Sequence, residues 1–504
     1  MSQFTPFRSP PLLSRNFLVS ICLFLFSSLI GAANHHVSPD GTPESDGSEA
    51  NPWDLGTALA ATDRVNPGDT IWLHAGTYRG GYESTLCGEP GKPVVVRSVR
   101  GDRVTLDLNP RDEKDPGTLT LRGADVVYRD FEVTCTHPNR ETTIAGSWPD
   151  DIRRGSVDIR GDRISAVNLV VHDLGTGFGF WAEGEGGEIS GCLIYYNGWR
   201  GPDRGHGHGI YTQNARGTKR IRDNVIFHQF GHGIQAYGSE KASLKGFEIE
   251  GNVIFDNGVL TKPGDRSTGL LVGGATPAER IVVRENVVVG SGIRLGYTWG
   301  TVSEDLVCEK NYSEGLIVRD FRRGSVSQNT VVAHSQAAQW EAADTLLRGG
   351  LAWDRNTYHI TDGRWGECSV QEKGKTRSLT FAQWQETTGH DAGSTFQKGA
   401  PIDLRVIVRP NTHEPGRALI AVINPGERPE VEVDLSDVLN EGQAFRIVSV
   451  RDVFGPALLT GVFKEKAVNI PLNAVKGPLP VGLTEVKLPV TEPGFSTFLV
   501  LPVQ

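Results

Sequence analysis

Along residues 168–332 the apolar positions recur in two alternating patterns, and each predicts a strand. The first is an asparagine followed by mostly apolar residues. It reads Asn168-Leu-Val-Val, Asn224-Val-Ile-Phe, Asn252-Val-Ile-Phe, Asn286-Val-Val-Val and Asn329-Thr-Val-Val, with Cys192-Leu-Ile-Tyr once in the same place. The starts lie 24, 32, 28, 34 and 43 residues apart, and Asn311 divides the last interval. Such intervals are those of a solenoid, in which each repeat is one coil that buries its apolar face on its neighbours. Asparagines stacked at one turn can bond each other's amides and so pin the register.

The second pattern is a small or polar residue, a glycine and an apolar alternation. It reads Thr176-Gly-Phe-Gly-Phe, His208-Gly-Ile-Tyr-Thr, His232-Gly-Ile-Gln-Ala, Thr268-Gly-Leu-Leu-Val, Ser291-Gly-Ile-Arg-Leu and Glu314-Gly-Leu-Ile-Val. Superposed, these give two inward columns. One is Phe178, Ile210, Ile234, Leu270, Ile293 and Leu316, and the other is Phe180, Thr212, Ala236, Val272, Leu295 and Val318. The residues between them face outward, because successive strand side chains alternate.

Before the repeats, residues 51–62 read as a short helix, with Asn51 as cap, Pro52 in the first turn, and Trp53, Leu55, Ala58 and Leu59 on one face. The segments Val37-Ser-Pro-Asp-Gly and Pro67-Gly-Asp-Thr-Ile-Trp-Leu-His-Ala-Gly-Thr-Tyr flank it. This arrangement resembles the opening of secreted right-handed parallel β-helix proteins of the pectate-lyase-like superfamily. The resemblance implies that the helix plugs the open end of the solenoid, where strand edges and core would otherwise be bare. After about residue 400 the texture changes. Asp403–Val408, Ala418–Ile423, Glu430–Asp434, Phe445–Val450, Lys466–Pro471 and Ser496–Pro502 read as short strands split by Pro, Gly and Asn, a pattern that predicts an antiparallel β-sandwich. The expected organisation is therefore all-β: a signal peptide over 1–33, a right-handed parallel β-helix over 34–400 with a short N-terminal capping helix, and a C-terminal β-sandwich over 401–504.

Composition fits this picture. The 61 glycines among 504 residues suit a fold of many turns. At the N-terminus, Arg8 and Arg15 precede an apolar run from Phe17 to Ile30, and Gly31 and Ala33 suit cleavage before Asn34. The expected compartment is secreted or periplasmic, with no membrane attachment after cleavage. Cleavage removes two arginines and no acids, taking the net charge from −9 to −11. That balance argues against nucleic acid as a partner. Five cysteines remain: Cys87, Cys135, Cys192, Cys308 and Cys368. The number is odd, and their spacing makes no metal motif, so buried apolar roles are expected. A monomer is expected.

The densest chemistry lies between Trp199 and Tyr237. His208 and His232 hold the same place in consecutive repeats and should stack at the inter-strand distance of ~4.8 Å. His208, His232, Arg204 and Tyr211 are the candidate acids and bases. Trp199, Arg200, His206, Gln213, Gln235, Tyr237 and Arg294 are the candidate substrate contacts, with Trp181 on the same outward strip. Sugar faces pack on aromatic rings, amides bond hydroxyls, and arginine forks onto carboxylates. Excursions at Asn197–Gly205 and Asn257–Ser267, the latter carrying Lys262, Asp265 and Arg266, leave at one turn and should wall a groove. Local basic charge on an acidic chain points to an acidic polysaccharide. The expected reaction is β-elimination by a polysaccharide lyase. A glycoside hydrolase, a uronan epimerase and a non-catalytic glycan-binding protein stay open as alternatives. The Gly-His-Gly runs at 205–207 and 207–209 resemble one motif of the polygalacturonases, but the paired aspartates and the Arg-Ile-Lys segment of that family are absent. No cofactor is fixed. Ca²⁺ or Zn²⁺ stays open without a clear motif, the imidazoles of His206, His208 and His232 being the only cluster that suggests zinc.

Overall fold

Each coil contributes one short strand to each of three sheets. The computed structural model describes residues 31–503 except 148, 153, 262–266, 299, 334–337, 342–349, 362–366, 373–374 and 465–466. Among these residues each sheet has twelve strands. Sheet 1 runs from Asn34–Val37 to Leu351–Asp354, sheet 2 from Gly76–Arg79 to Thr395–Lys398, and sheet 3 from Tyr82–Ser84 to Lys375–Leu379. Pairing is parallel except at the end of sheet 3, where Cys368–Glu372 and Lys375–Leu379 form an antiparallel hairpin. The predicted inward columns are the observed register. Phe178 pairs with Ile210, then Ile234, Leu270, Ile293 and Leu316 follow in turn. All six are buried in one continuous core. The polar member of the second column, Thr212, donates its hydroxyl to Phe180 O at 3.0 Å, so its burial leaves no unmet donor.

The turn between sheets 1 and 2 carries an asparagine ladder. Asn224, Asn252, Asn286, Asn311, Asn329 and Asn356 are buried, and each Nδ2 donates to the next Oδ1 at 2.9–3.0 Å. The same oxygen accepts the preceding backbone N–H, and Asp391 receives the last amide at 3.1 Å. Asn168, expected in this column, is one residue out of register. Val167 pairs with Ser190 and Val170 with Leu193, so Leu169 stands opposite Cys192, and Asn168 opposite Gly191. Asn168 and Gly191 both have left-handed backbone, with φ of 55° and 64°, the conformation that Asn and Gly tolerate best.

Both ends of the solenoid are closed. Helix α1 (Leu55–Ala60) is shorter than predicted. Its cap is Asp54, whose carboxylate accepts from Thr57 N–H at 3.0 Å, while Asn51 bridges Ser48 in a tight turn. Leu55, Ala58 and Leu59 enter the core. Helix α2 (Phe381–Thr388), which the sequence pattern did not reveal, lies near the far end. It has a Thr380–Gln383 capping box, a left-handed Gly389 behind it, and Trp384 buried.

Residues 405–502 form a five-stranded antiparallel sheet and a two-stranded partner, Glu430–Asp434 with Ala467–Pro471. The strand Leu459–Val462 was not anticipated. This region packs on the outer face of sheet 2. In Ala418–Ile423, Ala418, Ile420 and Val422 face the sandwich core, and Leu419, Ala421 and Ile423 face the solenoid. The triplets Leu193–Tyr195, Val225–Phe227 and Val253–Phe255 are likewise covered on both faces, which is why they read as unbroken apolar runs. Arg409 fastens the two parts, pairing with Asp223 at 2.5 Å and Glu285 at 2.9 Å.

Candidate functional site

The outer face of sheet 3 carries the polar column that lies between the two inward ones. Register places Asp158 beside Gly179, Gly179 beside Tyr211, and Tyr211 beside Gln235. Leu271 and Arg294 follow. Leu271 is fully buried although it occupies an outward position. Two residues along the strands come Arg160, Trp181, Gln213 and Tyr237. Trp181 packs tilted against Tyr211 at 5.7 Å, Arg160 lies over Trp181 at 5.1 Å, and Gln213 Nε2 donates to Tyr211 Oη at 3.5 Å and Tyr237 O at 3.3 Å. Tyr237 meets Tyr297 edge to face at 5.7 Å, and Arg294 lies 5.8 Å from the same ring. Beneath the strip, buried Lys219 donates to Phe180 O at 3.3 Å, Gln213 O at 3.0 Å and Trp181 O. It ties together the strand exits that present Trp181 and Gln213, and burial pulls its ammonium down to about 7.

Gly179 leaves a notch in this face that neighbouring side chains fill. A Cβ there would lie 2.5 Å from Asp158 Oδ1 and 2.5 Å from Trp181 Nε1. Trp181 Nε1 is itself a buried donor with no acceptor. Asp158 accepts from Ser156 Oγ at 2.8 Å, and Arg160 reaches both Asp158 at 3.5 Å and Glu183 at 2.6 Å. Burial raises the Tyr211 phenol above its ordinary range, so it is a proton donor at neutral pH. Asp158 and Arg160 were missed by the sequence reading, which had Glu183 only as one of four carboxylates available to a hydrolase, with Asp173, Asp203 and Asp256. The coil at Val157 lacks both the asparagine start and the glycine turn by which the other coils were aligned.

His208 and His232 stack as expected, with ring centroids 5.2 Å apart and planes 15° apart. Their Nδ1 atoms are occupied. His208 Nδ1 accepts His232 N–H at 3.0 Å, and His232 Nδ1 accepts Thr268 N–H at 2.7 Å. This fixes both as neutral rings with the proton on Nε2, so neither has a free lone pair for a base. Burial lowers the pKa of His232 to about 4 and that of His208 well below its usual value.

The excursion after Asn197 is a two-stranded hairpin in which Trp199 pairs with His206 and Arg200 with Gly205. Trp199 is 8% exposed and stacks on His206, itself 3% exposed, at 5.0 Å. Both rings were expected to meet substrate. Instead they pack against each other and offer no platform. Arg200 joins the hairpin to Glu141 and donates to Leu260 O at 2.9 Å. Arg204 is exposed, bonding Asp203 at 2.9 Å and Ser147 Oγ at 3.3 Å. Its place is on the loop, and Asp203 also takes His206 Nε2 at 3.0 Å. A third excursion, 135–156, leaves at the same sheet 2–sheet 3 turn and braces the hairpin. Lys262, Asp265 and Arg266 lie outside the described residues. Asn197 and Gln229, at the roots of these coils, begin a second buried amide ladder, with Gln229 Oε1 accepting from Asn197 Nδ2 at 3.1 Å. Among the described residues no three His, Cys, Asp or Glu side chains gather as a metal site; Cys135, Cys192, Cys308 and Cys368 are buried as expected, whereas Cys87 is exposed.

A stack of short parallel coils, closed at both ends and throwing loops from one turn, defines a parallel β-helix protein. The family described as right handed beta helix region matches residues 137–311 and 178–347. Among solved structures it is similar to pectate lyase Pel9A, with 17% identity over 68% of this chain and 78% of that one and a TM-score of 0.39. It is also similar to a rhamnogalacturonan lyase, with 14% identity over 69% and 90% and a TM-score of 0.44. A third is the GH136 lacto-N-biosidase from Eubacterium ramulus, with 14% identity over 73% and 67% and a TM-score of 0.42. These likenesses concern the fold alone. No curated protein matches the chain in sequence.

Proposed function

We propose that the chain is an exported carbohydrate-active enzyme that lays an acidic polysaccharide across the outer face of sheet 3 and cleaves it by β-elimination. The observation that carries this reading is the surround of Gly179, where the Asp158 carboxylate and the Arg160 guanidinium lie on one side of the glycine strand and the protonated Tyr211 phenol on the other. Elimination needs a cation at the uronate carboxylate, a base for the C5 proton and an acid for the leaving oxygen. Arg160, Asp158 and Tyr211 are the groups of those three kinds. Trp181 and Tyr237 give aromatic faces for sugar rings, Gln213 and Gln235 give amides for hydroxyls, and Arg294 lies three strands on for a second carboxylate. His208 and His232 contribute Nε2–H donors and rigidity. Export, with a monomeric mature chain, belongs to the same proposal and rests on residues 1–33. No helix among the described residues is long and apolar enough to cross a membrane.

A second reading is hydrolysis, favoured by the bridging of Asp158 and Glu183 through Arg160, since hydrolases use two carboxylates. The test is incubation with uronate polymers, following absorbance near ~235 nm, which reports the unsaturated product of elimination. Asp158→Asn and Tyr211→Phe should each lower kcat about 100-fold or more with binding retained. Wild-type turnover in both would remove the notch from the chemistry. New reducing ends without absorbance would select hydrolysis, and binding without either signal would select a non-catalytic glycan-binding protein.

A further inference from the structure

A groove of about 610 Å³ lies between the sheet 1–sheet 2 turns of the early coils and the C-terminal sheet, at a corner of the solenoid that sheet 3 does not form. Arg97, Arg100 and Arg103 line one wall, and Arg446, Phe454 and Pro502 line the other. The carboxylates in the groove are already engaged. Asp130 holds Arg97 at 2.8 Å and Arg129 at 2.7 Å, Glu132 holds Arg103 at 3.1 Å and His172 at 2.9 Å, Glu414 holds Arg417 at 3.4 Å, and Asp102 accepts Ala75 N–H at 2.9 Å. Among the described residues the side chains of Arg100 and Arg446 have no ion-pair or hydrogen-bond partner, and Arg97 Nε is a buried donor with no acceptor. Phe454 is 43% exposed, with the Arg103 guanidinium 3.9 Å over its ring.

Surplus guanidinium groups beside an exposed ring, in a concave site whose acids are consumed, match one ligand chemistry: a sugar with a carboxylate. We propose that this groove is a second, non-catalytic site for an anionic oligosaccharide, with the carboxylate between Arg100 and Arg446 and an apolar sugar face on Phe454. The inference goes beyond the sheet 3 reading, because it assigns no chemistry and stands on different residues. Its use would be tethering. A polymer held at the solenoid–sandwich junction raises the effective concentration of its remaining length at any other site on the protein.

The test is calorimetric titration of a uronate hexasaccharide into the full chain, the Arg100→Ala/Arg446→Ala pair, Phe454→Ala, and a Tyr211→Ala/Gln235→Ala variant of sheet 3. The wild type should show two binding events. The arginine pair should weaken one of them by about tenfold or more and reduce its salt dependence. Phe454→Ala should weaken the same event. The sheet 3 variant should lose only the other. Unchanged binding in the arginine pair, or equal binding of a neutral hexasaccharide at this event, would overturn the proposal. If the arginine pair loses its event and the sheet 3 variant changes nothing, the groove stands and the sheet 3 reading falls. The converse result separates them the other way.

Discussion

At Gly179 the smallest residue in its column stands between a carboxylate and an indole that both lean over it. Its backbone needs no glycine, for no left-handed φ is present, so the requirement is space. Gly179→Ala should therefore push apart Asp158 and Trp181, both side-chain groups that can shift, without breaking the coil. We expect carbohydrate binding or turnover to fall at least tenfold while the thermal midpoint drops by no more than a few degrees. Side-by-side melting curves and titrations would check this, and a variant that binds normally would show that the notch is only packing. Residue-level chemistry was partly legible in the sequence. His208 and His232 were placed together because they fill one slot in consecutive repeats. What the repeat could not show is the direction of their hydrogen bonds. Both Nδ1 atoms turn to the next coil's backbone, which removes them as bases. Nor could it tell that the ring facing Trp199 is His206 and not a sugar.

The element scale was read most fully, because a solenoid repeats one set of rules. The inward columns and most of the C-terminal strands follow from alternation and turn residues alone. The failures have physical causes. Asn168 was taken for a ladder member because asparagine suits both the ladder and the left-handed position before it. Helix α2 has only Trp384 buried, so it shows little apolar periodicity. The ladder itself makes a sharp prediction. Asn286 donates to Ile249 O at 2.9 Å and Arg284 O at 3.0 Å, and its Oδ1 accepts both the backbone and side-chain N–H of Asn252 at 3.0 Å. Asn286→Ala strands these groups in the core, at a cost of about 1–3 kcal/mol for a group left unsatisfied. We expect urea unfolding to report a loss of roughly 2–4 kcal/mol, and a loss under about 0.5 kcal/mol would mean that water or a shifted amide replaces the asparagine.

For the whole molecule, the junction between solenoid and sandwich should set the pH dependence of stability. His172 is held between Glu132 at 2.9 Å and Asp173 at 2.8 Å, with its ring stacked 4.7 Å from Tyr195. Asp173 also takes buried Arg140 at 2.9 Å and Val481 N–H of the sandwich at 2.9 Å. Burial disfavours the His172 cation, but the two carboxylates prevail and raise its pKa from 6.5 to about 9. A raised folded pKa means that this stabilisation is complete below about 6.5 and is lost as pH climbs through about 9. His232 behaves oppositely. Burial lowers it from 6.5 to about 4, so its contribution is complete above 6.5 and is lost as pH falls through about 4. His208 and His228 are lowered by burial too and add to that acid limb. Lys219 opposes the alkaline limb, since its ammonium is lowered from 10.5 to about 7 and its contribution is lost only as pH falls through about 7. His172 and His232 are each responsible for roughly 3 kcal/mol at their extremes. Chemical denaturation from pH 4 to 9 measures the curve. His172→Gln should leave the Lys219 rise unopposed, so that stability climbs more steeply between about pH 7 and 9 than in the wild type, and leave the acid limb intact. If the variant's curve runs parallel to that of the wild type between pH 6.5 and 9, the junction is not held by the protonated imidazole.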